Sequence, residues 1–297
     1  MISESLEKSI NCWVCGSNRL KIVKQSNIED ELNSSSFAIT NSNYGSTAAI
    51  YKCLECGFLQ CPDLTDVLRF YEDLKDEEYE TTREERRLQE RQLLHIIRKF
   101  KPCGALLDIG AGSGILVDEA EKAGYKAEGL EPSRWLCDAA KRRGLPVHLG
   151  TFPYPDISEK FDIITLVDVL EHTSNPVTLL SAIRKALKQG GIGVLVTPDV
   201  GSIVARLMGW KWWHFRVAHI GYFSRRTLLL SLSKAGLRAI KILRPVWFFP
   251  ADYIFDRIKR YLPNFLHLSK PAILKRITIP LNLRDSMLVV FTRKKRK

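Results

Sequence analysis

Two sets of residues in this 297-residue chain have the types and spacing to do chemistry. The first lies in "LLDIGAGSG", residues 106–114, where an apolar run leads to Asp108 and then to Gly110, Ala111, Gly112 and Gly114. Glycines at that spacing let a backbone come very close to a ligand, because no Cβ intervenes. A dinucleotide turn needs G-x-G-x-x-G; counted from Gly110, the third glycine position holds Ile115. No Gly-Lys-Ser/Thr follows, so a P-loop is excluded as well. Asp108 would repel a pyrophosphate and suits a ligand bearing an ammonium or sulfonium group. Glu131 stands 21 residues beyond Gly110, where a second-strand acid is expected. The second set is "CWVCG" with Cys12 and Cys15, and "CLECG" with Cys53 and Cys56. Two thiolates two residues apart reach one tetrahedral Zn²⁺, and a second pair closes the site. Four thiolates leave no open position, so the expectation is a structural zinc without catalysis. Cys61, Cys103 and Cys137 lack partners in sequence and are expected as small core residues.

A glycine turn of this kind needs a scaffold that presents strand ends. From residue 105 the pattern alternates strand and helix. "ALLDI" (105–109) reads as a buried strand, followed by a helix ending near Gly124. "KAEGLE" (126–131) is the second strand, with a helix from about Ser133 to Gly144, and "PVHLG" (146–150) is the third. "FDIITLVDV" (161–169) is the fourth and most apolar. Pro176 fits the first position of a helix that stops at Gly190-Gly191. "IGVLVT" (192–197) is the fifth strand. Ser224 caps a helix ending at Gly236, and 238–244 and 286–293 read as two last strands around a helical insertion. Such repeats predict an α/β fold: a mostly parallel, Rossmann-like sheet with helices on both faces and a final antiparallel strand. Ligands bind such sheets at the carboxyl ends of the strands, where the Gly110 turn falls. Upstream, residues 77–100 read as a charged helix with Leu93, Ile96, Ile97 and Phe100 on one apolar face and His95 at the surface.

The net charge of +12 is polarised. Residues 1–102 and 103–200 each carry −3, whereas residues 201–297 carry +18. Either an anionic partner meets the last third or the excess, with its "RKKRK" tail, serves solubility. No apolar run reaches the ~18 residues of a membrane span, and "MISESLEKSI" lacks a signal pattern. A cytoplasmic protein is expected, with peripheral contact at the inner face of the membrane if the anionic partner is lipid.

"LLDIGAGSG" resembles motif I of the class I S-adenosylmethionine (SAM) methyltransferases. "GLEPS" (129–133) is similar to their second-strand motif, and "FDIITLVDVLEH" (161–172) to the fourth-strand motif that places the methyl donor beside the acceptor. The resemblance implies that Asp108, Gly110, Ala111, Gly112, Gly114, Glu131, Pro132, Asp168 and Val169 bind SAM, with Glu131 on the ribose hydroxyls. The CxxC…CxxC module, the acidic and aromatic linker "RFYEDLKDEEYE" and the core together resemble a ubiquinone-methyltransferase-like bacterial family. "TPDVGSIVARLMGWKWWHFRVAHIGYFSRRTL" (197–228) also looks like that family's signature, with Asp199 where an Asn is usual. The implied organisation is a zinc-ribbon-like module over 1–70, a helical linker over 71–101 and a SAM-dependent methyltransferase domain over 102–297, with an insertion at about 250–280.

Transfer to a hydroxyl usually needs a base. His172 at the end of the fourth strand and His219 in the covering segment are the candidate catalytic residues, with His214 behind them. "GWKWWHF" (209–215) could floor a sugar or lipid headgroup, or simply pack. "ADYIFDRIKRYL" (251–262), with Ile254, Phe255, Ile258 and Leu262 on one face, reads as a helix packed on the sheet, or as an interfacial one. The expected acceptor is a hydroxyl, or less readily a carbon, of a sugar, glycan or lipid-linked intermediate. The alternatives are an RNA methyltransferase reading nucleic acid through the zinc module and basic third, and a non-catalytic SAM-binding module. The Asn/Asp-Pro-Pro-aromatic tetrad of base-amino methylation is missing.

Overall fold

The computed structural model describes residues 10–29, 31–40, 44–155, 160–259 and 271–294. Most of "MISESLEKSI", Arg260 and Leu262 of the expected amphipathic helix, and the last three tail residues lie outside the described residues. Three short strands come first: β1 (Leu20–Lys24), β2 (Ile50–Cys53) and β3 (Leu59–Gln60). Helices α1 (Leu68–Glu72), α2 (Glu77–Thr81) and α3 (Arg83–Arg98) follow. The expected single helix over 77–100 is therefore broken at Thr82, where φ −98° and ψ 21° leave the helical region. Leu93, Leu94 and Ile97 form its buried face, while His95 is exposed as expected.

The βα repeat is β4 (Ala105–Ile109), α4 (Ile115–Lys122), β5 (Lys126–Glu131), α5 (Arg134–Lys141), β6 (Val147–Leu149), β7 (Phe161–Val167), α6 (Pro176–Ala186) and β8 (Leu187–Pro198). Helix α6 ends four residues earlier than the glycine pair suggests. Leu187, fully buried, already pairs with Phe161, and Gly190 turns inside the extended segment at φ +74°. Then come α7 (Ile203–Met208), β9 (Gly221–Tyr222), α8 (Arg225–Lys234), β10 (Leu237–Leu243), β11 (Trp247–Pro250), α9 (Ala251–Lys259), β12 (Thr278–Leu281) and β13 (Ser286–Arg293). The insertion thus carries a two-stranded β11–β12 ladder beside its helix.

The main sheet runs β10-β13-β8-β7-β4-β5-β6. Strands β6, β5, β4, β7 and β8 are parallel, and β13 is antiparallel to both β8 and β10. Apolar clusters fill both faces: α3, α4 and α5 cover one, α6 and α8 the other. Leu107, Ile164 and Leu195 are fully buried between these layers, each contributing about 1.5–3 kcal/mol by burial. The order reverses at β4, whose neighbours are β5 and β7, and crevices for ligands open at such a switch.

β1, β2 and β3 form a second sheet whose fourth strand is β9, from well inside the methyltransferase-like region. Leu59 pairs with Tyr222 and Gln60 with Gly221. Among the described residues no helix is long and apolar enough to cross a membrane.

Candidate active site

The turn after β4 is built from glycine for two physical reasons. Gly110, Gly112 and Gly114 have φ of +77°, +55° and +77°, a region that costs other residues about 1–2 kcal/mol. A Cβ on Gly110 would stand 2.5 Å from Val169 Cγ2, and one on Gly112 2.5 Å from the Tyr79 hydroxyl. Gly114 differs in role from the other two. Its Cβ would meet Leu145 and Val147 at 2.9 and 3.1 Å, so its bareness lets the start of α4 sit against the α5–β6 corner, and the cavity lining passes it by. The Glu131 carboxylate, at the end of β5, holds the turn in place. One oxygen accepts from Gly112 N at 2.7 Å and the other from Ser133 N at 2.8 Å. Asp108 accepts from the Thr165 hydroxyl at 2.7 Å. Burial pushes both acids up to about 7, and the neighbouring charge of Glu131 adds to the rise at Asp108.

These residues open into one cavity of about 540 Å³, within the ~300–1,000 Å³ usual for small-molecule sites. Asp108, Gly110, Ala111, Gly112, Glu131 and Pro132 line one end. Asp168, Val169, His172 and His219 line the other. Asp168 is a non-glycine residue at φ +50°, directly after β7; strain of this kind gathers at functional sites. Its side chain is exposed to the cavity, yet desolvation by the surrounding walls raises its carboxyl to about 7, with Arg86 and Arg216 pulling the other way.

The histidines lie in the 3₁₀ turn at 170–172 and in the segment before β9. His172 Nδ1 is 2.6 Å from the Ala218 carbonyl and 2.8 Å from the Tyr71 hydroxyl. His219 Nδ1 is 3.0 Å from the His214 carbonyl. Burial lowers the basicity of all three: His172 to about 4, His214 to about 3 and His219 well below its ordinary value, with Arg216 adding to each. They are neutral imidazoles at neutral pH, not the titrating groups that a histidine's ordinary pKa suggests. The expected aromatic stretch divides: Trp212 is fully buried and donates to Asp285 at 3.1 Å, while Trp213 faces the cavity. Asp199 is buried, accepts from Gly201 N at 2.9 Å and pairs with Arg244 at 2.7 Å, so it braces the end of β8.

Tyr71, Tyr79, Arg86 and Glu90, in helices α1 to α3, also line the cavity, and the sequence motifs assign none of them to the site. Arg86 lies 3.9 Å over the Tyr79 ring. Glu90 has a buried oxygen with no hydrogen-bond partner, and burial followed by the nearby Asp108 raises it to about 8. The available signal was the acidic, aromatic composition of the linker, unusual for a plain connector.

The cysteine sets also converge. The Sγ atoms of Cys12, Cys15, Cys53 and Cys56 lie within 4.8 Å of one another, with Cys12–Cys56 at 3.6 Å and Cys15–Cys53 at 3.5 Å. Burial pushes the Cys12 thiol up to about 11 and Cys56 upward too; a bound cation would reverse that penalty. The donor set fits tetrahedral Zn²⁺. Of the remaining cysteines, Cys61 and Cys137 are buried as expected, but Cys103 is exposed, in the loop between α3 and β4.

A parallel sheet with an antiparallel last strand, and a glycine turn facing an acid on the next strand, define a Rossmann-like methyltransferase fold. A chain in the solved complex between the Haloferax volcanii Trm112 methyltransferase activator and the putative methyltransferase shares it. The two are 15% identical with a TM-score of 0.52, over 74% of this chain and 95% of that one. The family model described as a methyltransferase domain matches residues 79–242; the match spans more than half of the chain, which belongs to that family. Its relatives include the ubiquinone biosynthesis O-methyltransferases of Haemophilus ducreyi, 29% identical over 104 residues, and Nitrobacter winogradskyi, 34% identical over 93. These alignments cover 31% and 29% of this chain and 44% and 36% of theirs. The chain thus spans less than half the length of the curated relatives it matches.

Proposed function

We propose that the protein transfers a methyl group from SAM to a hydroxyl of a small-molecule acceptor, in the class of sugars, glycans or lipid-linked intermediates. One observation carries this reading: a single cavity joins the Gly110–Glu131 turn to the His172–His219 end. The residues present suit SAM. Glu131 takes the ribose hydroxyls, the backbone of Gly110 to Gly112 allows close approach, and Asp108 with Glu90 compensates positive charge. When bound, SAM supplies a sulfonium methyl open to in-line displacement. Tyr71 and Tyr79 close the cavity over it, and alignment in a water-poor site provides much of the acceleration. The Glu171–His172–His219 group stands at the acceptor end, where the hydroxyl must lose its proton. Trp213 and Phe249 in the cavity wall suit a sugar ring, and the basic last third suits an anionic carrier group. A structural zinc at Cys12, Cys15, Cys53 and Cys56 completes the reading.

The test uses SAM labelled in its methyl group, added with the protein to an extract of cells that lack it. Label in a glycan, lipid or small-molecule fraction, lost with Asp108→Ala, is expected. Label in RNA, or in no fraction, overturns the reading.

A further inference from the structure

Below the acceptor end of the cavity, three side chains with metal-ligating groups come together. Glu171 and His172 come from the turn after β7, and His219 from the segment leading into β9. One ligand atom from each, a carboxylate oxygen and two ring nitrogens, lies within 4.8 Å of the others. The hydrogen bonds around them settle which atoms are available. A carbonyl oxygen only accepts, so His172 Nδ1, 2.6 Å from Ala218 O, carries the proton. The same argument places a proton on His219 Nδ1, 3.0 Å from His214 O. Each Nε2 is therefore left with a lone pair. Glu171 is 1% exposed. One of its oxygens accepts from the Thr197 hydroxyl at 2.8 Å, and the other is buried without any hydrogen-bond partner.

An orphan carboxylate oxygen on a residue grouped with two imidazoles that each keep a free lone pair is a costly arrangement for a core that holds nothing. It is the ordinary arrangement of a metal site. Metal-binding histidines commonly donate their second N–H to a carbonyl, and ligating carboxylates are held by a further hydrogen bond. Two imidazoles and one carboxylate form a known catalytic donor set for Zn²⁺, leaving the fourth position open.

We propose that Glu171, His172 and His219 bind a divalent transition ion, Zn²⁺ by donor type, distinct from the four-cysteine centre. His172 and His219 line the cavity whereas Glu171 lies beneath, so the open position faces the acceptor. The catalytic consequence rests on the methyltransferase reading. There the acceptor hydroxyl binds the ion and its O–H bond breaks, the proton leaving to bulk water. The oxygen then forms a bond to the methyl carbon while the carbon–sulfur bond breaks, its electron pair staying on sulfur. Zinc lowers the pKa of a bound water to about 7, and the same polarisation acts on the O–H of a bound hydroxyl.

The experiment is metal binding by the full chain, without SAM or acceptor. After removal of metal and addition of Zn²⁺, elemental analysis should find two ions per chain in the wild type. One should remain in Glu171→Gln and in His219→Asn. Cobalt gives a reading that needs no variant. Filling the cysteine centre produces intense thiolate-to-cobalt bands, and a second equivalent should add weak visible bands alone. SAM calorimetry on the variants reports whether they fold and bind. One ion per chain in the wild type, with cobalt spectra complete at one equivalent, overturns the proposal. Two ions in a protein that transfers no label would retain the site and overturn the methyltransferase reading instead.

Discussion

At the scale of single residues, the site stores unfavourable charge. Asp108 and Glu131 are nearly fully buried, and burial raises both to about 7. In the unfolded chain each would titrate near its ordinary value of about 4. The folded state therefore binds more protons between about pH 4 and 7, and the contribution of these acids to stability falls as pH rises through that window. A cationic ligand reverses the preference, since it needs the acids ionised. SAM binding should tighten between pH 6 and 8 by roughly tenfold for each acid of pKa near 7 that must ionise. Calorimetric titration across that range checks it, and an affinity flat with pH would remove these acids from the site. Glu131→Gln gives a second reading. Its amide nitrogen faces a backbone N–H instead of accepting from it, at a cost of about 1–3 kcal/mol. Asp108 and Glu131 were legible in the sequence because their chemistry is fixed by position relative to the glycine turn. Glu90 and Tyr79 were not, because nothing local to a charged helix says which of its polar side chains turns inward.

At the scale of elements, the glycine turn and the helical linker work as one unit. The Tyr79 hydroxyl occupies the space a Cβ at Gly112 would need, so the linker closes on the turn rather than merely tethering two parts. Gly112→Ala forces a left-handed alanine, costing about 1–2 kcal/mol, and also pushes Tyr79 off the cavity. The substitution should weaken SAM binding by tenfold or more. In a Tyr79→Phe background part of the penalty should vanish, because the clashing hydroxyl is gone. A double-mutant cycle measures that difference, and strict additivity would show that the linker does not seat on the turn. The strands of the βα repeat were readable since each is a short apolar run bounded by turn residues. The end of α6 was misplaced because Gly190-Gly191 resembles a helix stop, whereas Leu187 is claimed by its buried partner Phe161 on β7. The pairing of β3 with β9 left no signal at all, since two-residue strands have no periodicity.

At the scale of the whole molecule, that small pairing decides how the cysteine centre matters. Cys61 N donates to Ile220 O at 2.8 Å, one residue beyond His219, and Ile220 N donates to Glu171 O at 2.9 Å. Phe58, two residues past Cys56, packs its ring 4.9 Å from Phe223. Cys12, Cys53 and Cys56 belong to the same apolar cluster as Leu166 of β7 and Leu228 of α8. A module joined this way cannot unfold alone without exposing the floor of the acceptor end. Cys56→Ser should therefore lower the melting temperature of one shared transition, by about 2–4 °C for each kcal/mol lost. Methyl transfer should fall further than SAM binding, because Glu131 and the glycine turn lie at the far end of the cavity. Scanning calorimetry read beside SAM titration tests both halves. Two separate transitions, with the second unchanged from wild type, would make the cysteine centre an appendage rather than the support of the acceptor site.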